Sequence, residues 1–300
     1  MLFLCFQPTI LLYIPVVKGP WICDNLVTIY NPSQNFITVS LTGDACSLQC
    51  PHCQGRFLKH MAPVVTPEEL YALAKESSQK GVKGMLISGG CEADGQVPIF
   101  DYLDIIKNIK SNIDISINIH AGFVRLDNIP KLAGKGIDIV SFDVIGSPDV
   151  VKKIYGLDLE PDYFEKALAA FRDNGLKVVP HVTAGLGMGN DSGEENALET
   201  IARHGPDFVV INALMASDAD ELSGERLLEV LYMAREILPD DTAFGIGCMR
   251  PRGDIISAEL VAELDIASVA MPSKGLVKEL KALEMDIIEK DGCCAFWTIP

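Results

Sequence analysis

Three cysteines stand in one short run, Cys46-Ser47-Leu48-Gln49-Cys50-Pro51-His52-Cys53, spaced C-x3-C-x2-C. Thiolates are soft ligands that suit iron–sulfur clusters, and three of them can hold three irons of a four-iron cluster. The fourth iron then keeps a position open to a cofactor or substrate. A structural zinc site is the alternative for such a run, but it wants a fourth protein ligand at finger spacing. His52, between Pro51 and Cys53, has poor reach around the same metal.

Four more cysteines invite metal chemistry: Cys91, Cys248 and the adjacent pair Cys293 and Cys294. Four thiols could converge on an auxiliary cluster, with the alternative that any one is an inert buried residue. Cys5 and Cys23 have no comparable setting. Neighbouring cysteines rarely pair in a disulfide, and a chain of 300 residues buries enough surface to fold without bridges. The nine cysteines point to thiolates holding metal in a reducing compartment, the cytoplasm.

The elements that must position these residues follow a long alternation. Strand-like runs are Phe36–Leu41, Gly84–Ser88, Ile113–Ile119, Ile137–Phe142, Leu176–Pro180, Phe208–Asn212, Ala243–Gly247 and Ile266–Ala270. Between them lie helical stretches. One opens at Thr66-Pro67-Glu68-Glu69, with Thr66 as N-cap and Glu69 closing a capping box. Others are Phe100–Ile109, the short Ile129–Ala133, Pro161–Arg172, Glu194–Arg203, Glu221–Ile237, Ser257–Glu263 and a last stretch, Leu276–Glu289. The strand runs are short and continuously apolar, as expected when both faces are covered. The expected fold is α/β: a (β/α)8 TIM-type barrel over residues 36–273, with an N-terminal lead-in at 1–35. A C-terminal helix and Cys-Cys tail at 274–300 is expected to fold over the barrel mouth. A doubly wound open sheet is the competing geometry.

Barrel logic puts chemistry in the loops that follow the strands, and unusual residues gather there. The cysteine run follows the first strand, Gly89-Gly90-Cys91-Glu92 the second, His120 the third, Asp143 the fourth and His181 through Glu194 the fifth. Cys248-Met249-Arg250-Pro251-Arg252-Gly253 follows the seventh. Asp143 reads as a ligand of ribose hydroxyls or as a capping carboxylate. His120 and His181 read as cofactor or substrate ligands or as structural histidines. Arg250 and Arg252 could receive a carboxylate or phosphate, or pair with the acidic surface.

That surface carries 41 Asp and Glu against 25 Lys and Arg, a formal net charge of -16. Such a field repels nucleic-acid backbones and anionic lipid headgroups, so neither is an expected partner. The uncharged first 17 residues lack a basic leader region, are interrupted by Pro8 and Pro15 and are too short to span a bilayer, so no membrane segment is expected.

The C-x3-C-x2-C run at the end of a first barrel strand resembles the hallmark of the radical S-adenosylmethionine (SAM) enzymes. In that family the open iron chelates the methionine moiety, and an electron from the cluster splits the sulfonium to a 5'-deoxyadenosyl radical. The resemblance implies that His52 flanks the adenine and that Ser88-Gly89-Gly90 receives the cofactor's amino group. Gly185-Leu186-Gly187-Met188-Gly189 with Glu194 resembles the family's fifth-strand glycine motif. Cys91 stands where many members have a glutamate, and Glu92 is an uncertain substitute.

From Phe36 to the tail the chain resembles a biotin-synthase-like group, and within it one subunit of the two-protein lipoyl synthase. The motifs that carry this are Ser40-Leu41-Thr42-Gly43, Gln54-Gly55-Arg56, Ser88–Cys91, Gly247–Gly253 and Cys293-Cys294. The implied activity is sulfur insertion at C6 or C8 of a protein-bound octanoyl chain. It implies a lipoyl-domain or carrier-protein substrate, a second radical SAM subunit and an electron donor such as ferredoxin or flavodoxin. In the biotin synthase branch an arginine near this strand contributes to the auxiliary cluster, a role that would fall to Arg250. A single-cluster methylase or rearrangement enzyme, and a non-enzymatic iron–sulfur electron carrier, are the alternatives.

Overall fold

The computed structural model describes residues 25–32, 35–188, 191–215, 220–251 and 255–298. Arg252, Gly189, Cys5 and Cys23 lie outside the described residues, as does most of the expected lead-in.

Among the described residues the strands are β1 (Leu26–Asn31), β2 (Phe36–Ser40), β3 (Ala62–Pro63), β4 (Gly84–Ser88), β5 (Ser116–His120) and β6 (Ile139–Asp143). They continue with β7 (Val178–Ala184), β8 (Phe208–Ala213), β9 (Ala243–Ile246), β10 (Ser268–Ala270) and β11 (Asp286–Asp291). The helices are α1 (Pro67–Gln79), α2 (Leu103–Asn112), α3 (Pro148–Tyr155), α4 (Tyr163–Asp173), α5 (Glu194–His204), α6 (Asp220–Ile237), α7 (Ala258–Glu263) and α8 (Lys274–Ala282).

The strands form one sheet in the order β11-β1-β10-β9-β8-β7-β6-β5-β4-β2-β3, and each described pairing is parallel. Residues of alternating direction are buried along the central strands, such as Ile117 and Asn118, or Val209 and Val210. This two-sided burial explains the continuous apolar runs. Local signals set the helices: Thr66 Oγ1 accepts the Glu69 amide at 3.2 Å, and Glu69 Oε2 accepts the Val65 amide at 2.8 Å. Together they satisfy two amides at the entry to α1.

The sheet is curled and open rather than a closed eight-stranded barrel, with β11 and β3 at its edges. β2 and β8 stand five steps apart in the sheet order. In a flat sheet that separation would be about 24 Å. Yet adjacent tail residues reach both: Phe296 meets the Phe36 ring edge-on at 5.9 Å, and Trp297 stacks on Phe208 at 5.2 Å. Curling brings the two strands around one apolar filling.

The tail does not cover the mouth. Phe36 and Phe208 are the first residues of β2 and β8, and Gly84, the first of β4, also lies against the Phe296 ring. The 3-10 turn Cys294–Thr298 therefore fills the N-terminal end of the curled sheet, opposite the loops that carry the cysteine run. Large aromatic groups gain more by filling this interior than by lying over polar loops.

Three strands were not expected: β1, the two-residue β3 beside β2, and β11. β1 falls in the presumed lead-in and pairs with β10 and β11, so residues 26–31 are part of the sheet. The expected helix Leu276–Glu289 ends at Ala282, capped by Leu283, and Asp286–Asp291 forms β11 instead. Glu284, at φ 56, turns the chain out of the helix. α3 was also unexpected; Ser147 Oγ caps it through the Val150 amide at 3.3 Å, and Gly156 at φ 71 ends it.

Candidate active site

The cysteine run leaves β2 in a set of turns fixed by its own hydrogen bonds. Thr42 Oγ1 donates to the Ala45 carbonyl at 2.8 Å and accepts the Gly90 amide at 2.7 Å. The amides of Cys53 and Gln54 both donate to the Cys50 carbonyl, at 3.0 and 2.9 Å. That turn keeps Cys50 and Cys53 close, and Gln49 and Gln54 take left-handed φ values of 46 and 48° to make it.

The run is zipped to the turn after β4. The Ser47 amide donates to the Cys91 carbonyl at 2.8 Å, and the Cys91 amide donates to the Cys46 sulfur at 3.3 Å. Gly90 makes this approach feasible: a Cβ there would land on the Ala45 carbonyl oxygen and within 2.7 Å of the Cys46 Cα. Ser88 ties β4 to β5 through the His120 carbonyl at 2.9 Å. Ser88, Gly89 and Gly90 thus seat the cysteine run.

Thiols gathered this closely resist each other's ionisation. Burial, then negative charge on Cys46 and Cys53, pushes the Cys50 thiol up to about 11. Burial, then Cys46 and Cys50, pushes Cys91 up to about 12. A polycationic iron–sulfur centre relieves that cost, because a coordinating thiol is deprotonated outright. The donor set fits a cluster held by Cys46, Cys50 and Cys53. Cys91 lies with this group, not with Cys248 and the tail, so the expected four-thiol auxiliary set divides.

His52 is packed edge-on against Tyr155 with ring centroids 5.7 Å apart. Its Nδ1 is buried without a hydrogen-bond partner, and burial holds its pKa below the usual imidazole range. A neutral ring with an unused nitrogen inside the cysteine run fits a group that packs on a bound ligand.

His120 and Asp143, the last residues of β5 and β6, come together with His181 in the middle of β7. Asp143 Oδ2 lies 3.0 Å from His120 Nε2, and Asp143 Oδ1 lies 3.8 Å from His181 Nδ1. Burial disfavours charge on His120, but the Asp143 carboxylate outweighs it and raises the pKa. Burial likewise opposes charge on Asp143, and His120 and His181 together bring its pKa below the usual carboxylate range. At His181 burial prevails over Asp143 and lowers the pKa to about 4. Each residue was legible singly; the register that unites them was not.

Glu194 is a clasp. Its buried carboxylate accepts from the Gly185 amide at 2.7 Å, the Ser192 amide at 2.8 Å and the Ser192 hydroxyl at 2.9 Å. Arg226 of α6 completes the set at 3.0 Å. Glu194, the first residue of α5, therefore ties the loop containing Gly185 and Gly187 to α5 and α6. Arg226, which also meets Glu229 at 2.6 Å, is a missed residue; an arginine inside an amphipathic helix gave no sequence signal.

Arg250 is likewise turned inward. Its guanidinium donates to the carbonyls of Gly247 at 3.0 Å, Ala270 at 2.9 Å and Met271 at 3.2 Å, tying the loop after β9 to the end of β10. With 6% of its surface exposed it is a strut, not the expected anion receptor.

The tail thiols enter the interior of the curl. Cys293 Sγ lies 3.8 Å from Asn118 Nδ2. A hydrogen bond from Cys294 favours the Cys293 thiolate, against burial, with Asn118 and His120 helping. The same bond, with burial and the negative charges of Cys293 and Cys248, pushes Cys294 well up. Cys248 itself is exposed at the end of β9. The Tyr30 hydroxyl, another group the sequence did not flag, is buried without a partner beside the tail thiols.

A family model described as the radical SAM superfamily matches residues 40–203, more than half of the chain and the whole stretch from the cysteine run through the Glu194 loop. The chain belongs to the radical SAM superfamily. Over 124 residues it is 33% identical to a probable GTP 3',8-cyclase of Methanocaldococcus jannaschii, a match covering 39% of each chain. The chain thus spans about two fifths of that curated relative. The crystal structure of HydG, a maturase of the [FeFe]-hydrogenase, superposes with a TM-score of 0.59 at 19% identity, over 89% of this chain and 61% of that one. Methylornithine synthase (PylB) gives 0.59 at 16% identity, over 89% and 85%. These likenesses show a shared radical SAM fold. Among the described residues no helix is long and apolar enough to cross a membrane.

Proposed function

We propose that this radical SAM enzyme inserts sulfur at an unactivated carbon of a protein-bound octanoyl chain, as one subunit of a two-protein lipoyl synthase. The observation that carries the reading is the second group of thiols. Cys293 and Cys294 are hydrogen-bonded, and Cys248 acts electrostatically on Cys294, all apart from Cys46, Cys50 and Cys53. An auxiliary cluster on these thiols would supply the sulfur.

Cys46, Cys50 and Cys53 would hold the cleaving cluster, and its chemistry with bound SAM provides a carbon radical able to take hydrogen from an alkyl chain. The protein's part is to orient and exclude. Gly90 and Thr42 seat the cysteine run, Glu194 sets the Gly185 loop, and the aromatic tail shuts water from the N-terminal end. The proposed partners are a lipoyl-domain or carrier-protein substrate, a second radical SAM subunit, and ferredoxin or flavodoxin as electron donor in the cytoplasm. One observation favours a single-cluster methylase or rearrangement enzyme: Cys91 sides with the cleaving group and leaves three thiols, not four, for a second centre.

Mössbauer spectroscopy and iron analysis of anaerobically reconstituted protein decide between them. A variant with Cys46, Cys50 and Cys53 all replaced by alanine should retain a distinct cluster, which additional replacement of Cys248, Cys293 and Cys294 removes. Loss of all cluster signal in the folded triple variant overturns sulfur insertion.

A further inference from the structure

We infer that His120, Asp143 and His181 form a mononuclear site for a divalent transition metal, on ligands other than those of the cysteine run. Register puts all three on one face. Asp143 pairs with His181 across β6 and β7, and His120 pairs with Ser141 across β5 and β6. Ser141 and Asp143 are two apart on one strand and so point the same way. The face is the interior of the curl, because Asn118, two residues before His120, meets the tail sulfur of Cys293.

A buried tier beneath fixes the arrangement. Asn118 Nδ2 donates to Ser141 Oγ at 2.9 Å, and Ser141 Oγ donates to Asn118 Oδ1 at 3.1 Å. This reciprocal pair locks β5 against β6, so His120 and Asp143 cannot slip apart without breaking buried hydrogen bonds.

The ligand atoms of the three residues all lie within 4.8 Å of one another. Two imidazoles and a carboxylate are the donor set of mononuclear iron(II) sites with open positions, and manganese(II) accepts the same donors. His181 turns Nδ1 to the cluster, 3.8 Å from Asp143 Oδ1, and its Nε2 is buried with no hydrogen-bond partner. Hydrogen bonding within the cluster accounts for Asp143 and His120 but leaves that nitrogen unexplained. A metal held by three protein ligands keeps positions for an oxygen or sulfur donor of a substrate entering the curl.

The site does not depend on sulfur insertion, and its test reads metal binding alone. Holoenzyme with its clusters reconstituted and diamagnetic is titrated with manganese(II), and free manganese is followed by electron paramagnetic resonance. Pulsed spectra of the bound ion report nitrogen modulation from imidazole. The expected result is one tight ion per chain with imidazole nitrogen coupling, bound at least tenfold more weakly by Asp143→Asn and without that coupling in the His120→Ala/His181→Ala double variant. Cluster iron serves as the control for folding; if a variant loses it, the wild-type nitrogen coupling decides. No stoichiometric binding, binding without imidazole coupling, or equal affinity in a folded Asp143→Asn variant overturns the inference.

Discussion

The backbone amide of Cys91 donates to the sulfur of Cys46 across 3.3 Å, while the Cys91 carbonyl accepts from Ser47. Through this contact the turn after β4 is part of the cysteine run's cradle even where its side chains are not ligands. The contact uses the main chain of residue 91 and depends on the bare Cα of residue 90. Cys91→Ser should therefore keep near wild-type iron at the cleaving site. Gly90→Ala should lose most of it, and 5'-deoxyadenosine formation should fall at least tenfold. Iron per chain and product chromatography check both; equal loading of the two variants would sink this account of the cradle.

The Glu194–Arg226 clasp makes stability depend on acid. Burial raises the Glu194 pKa, but Arg226, the Gly185 amide and Ser192 outweigh it, leaving the folded value at about 2. A depressed carboxylate pKa contributes stability above the unfolded value, about 4.5, and that contribution is lost as pH falls towards 2. Glu194→Gln leaves Arg226 without its buried partner and should cost about 3 kcal/mol at neutral pH. Melting temperatures of wild type and variant should differ most at pH 6–7, with the gap narrowing below about 4.5 and closing only near pH 2. A constant gap across that range would contradict the sign.

Much of this was legible because long-range order follows from short apolar runs. Each of the eight expected strand runs overlaps a strand of the sheet. Leu26–Asn31 escaped notice because it falls inside the expected lead-in, although Asp24-Asn25, with Asn25 at φ 64, marks its start. Asp286–Asp291 escaped because Glu, Lys and Ile after Leu276 read as helix, while its partner is a strand more than two hundred residues earlier. The same blindness to register hid the meeting of His120, Asp143 and His181. Cys91 was assigned by its chemistry alone, and only the pairing of β2 with β4 shows that its turn lies against Cys46.

The aromatic tail should act as a structural plug. Trp297 stacks on Phe208 at an interplanar angle of 16°, and Phe296 fills the space beside Phe36 and Gly84. Trp297→Ala opens a cavity at the N-terminal end of the curl and should destabilise by about 3 kcal/mol. Urea unfolding followed by far-ultraviolet circular dichroism checks it. Cluster iron at Cys46, Cys50 and Cys53 should remain, since those residues sit at the other end of the strands. A tail lying over the mouth would give the reverse pattern, with SAM access altered and the urea midpoint unchanged.

Removal of iron should expose an order of thiol reactivity. At pH 8 a thiol with pKa near 12 is ionised in about one molecule in ten thousand, and burial slows the reagent further. Cys91 answers that description, and Cys294 is pushed up as well, whereas Cys248 is exposed. In metal-free protein treated with iodoacetamide, peptide mass spectrometry should find Cys248 alkylated first, with Cys91 and Cys294 at least tenfold slower. Raising the pH to 10 should accelerate Cys91 by about a hundredfold, because each pH unit below its pKa multiplies the thiolate fraction tenfold. Alkylation of Cys91 at the rate of Cys248 at pH 8 would mean that its sulfur is not held in the buried, negatively charged setting beside Cys46 and Cys50.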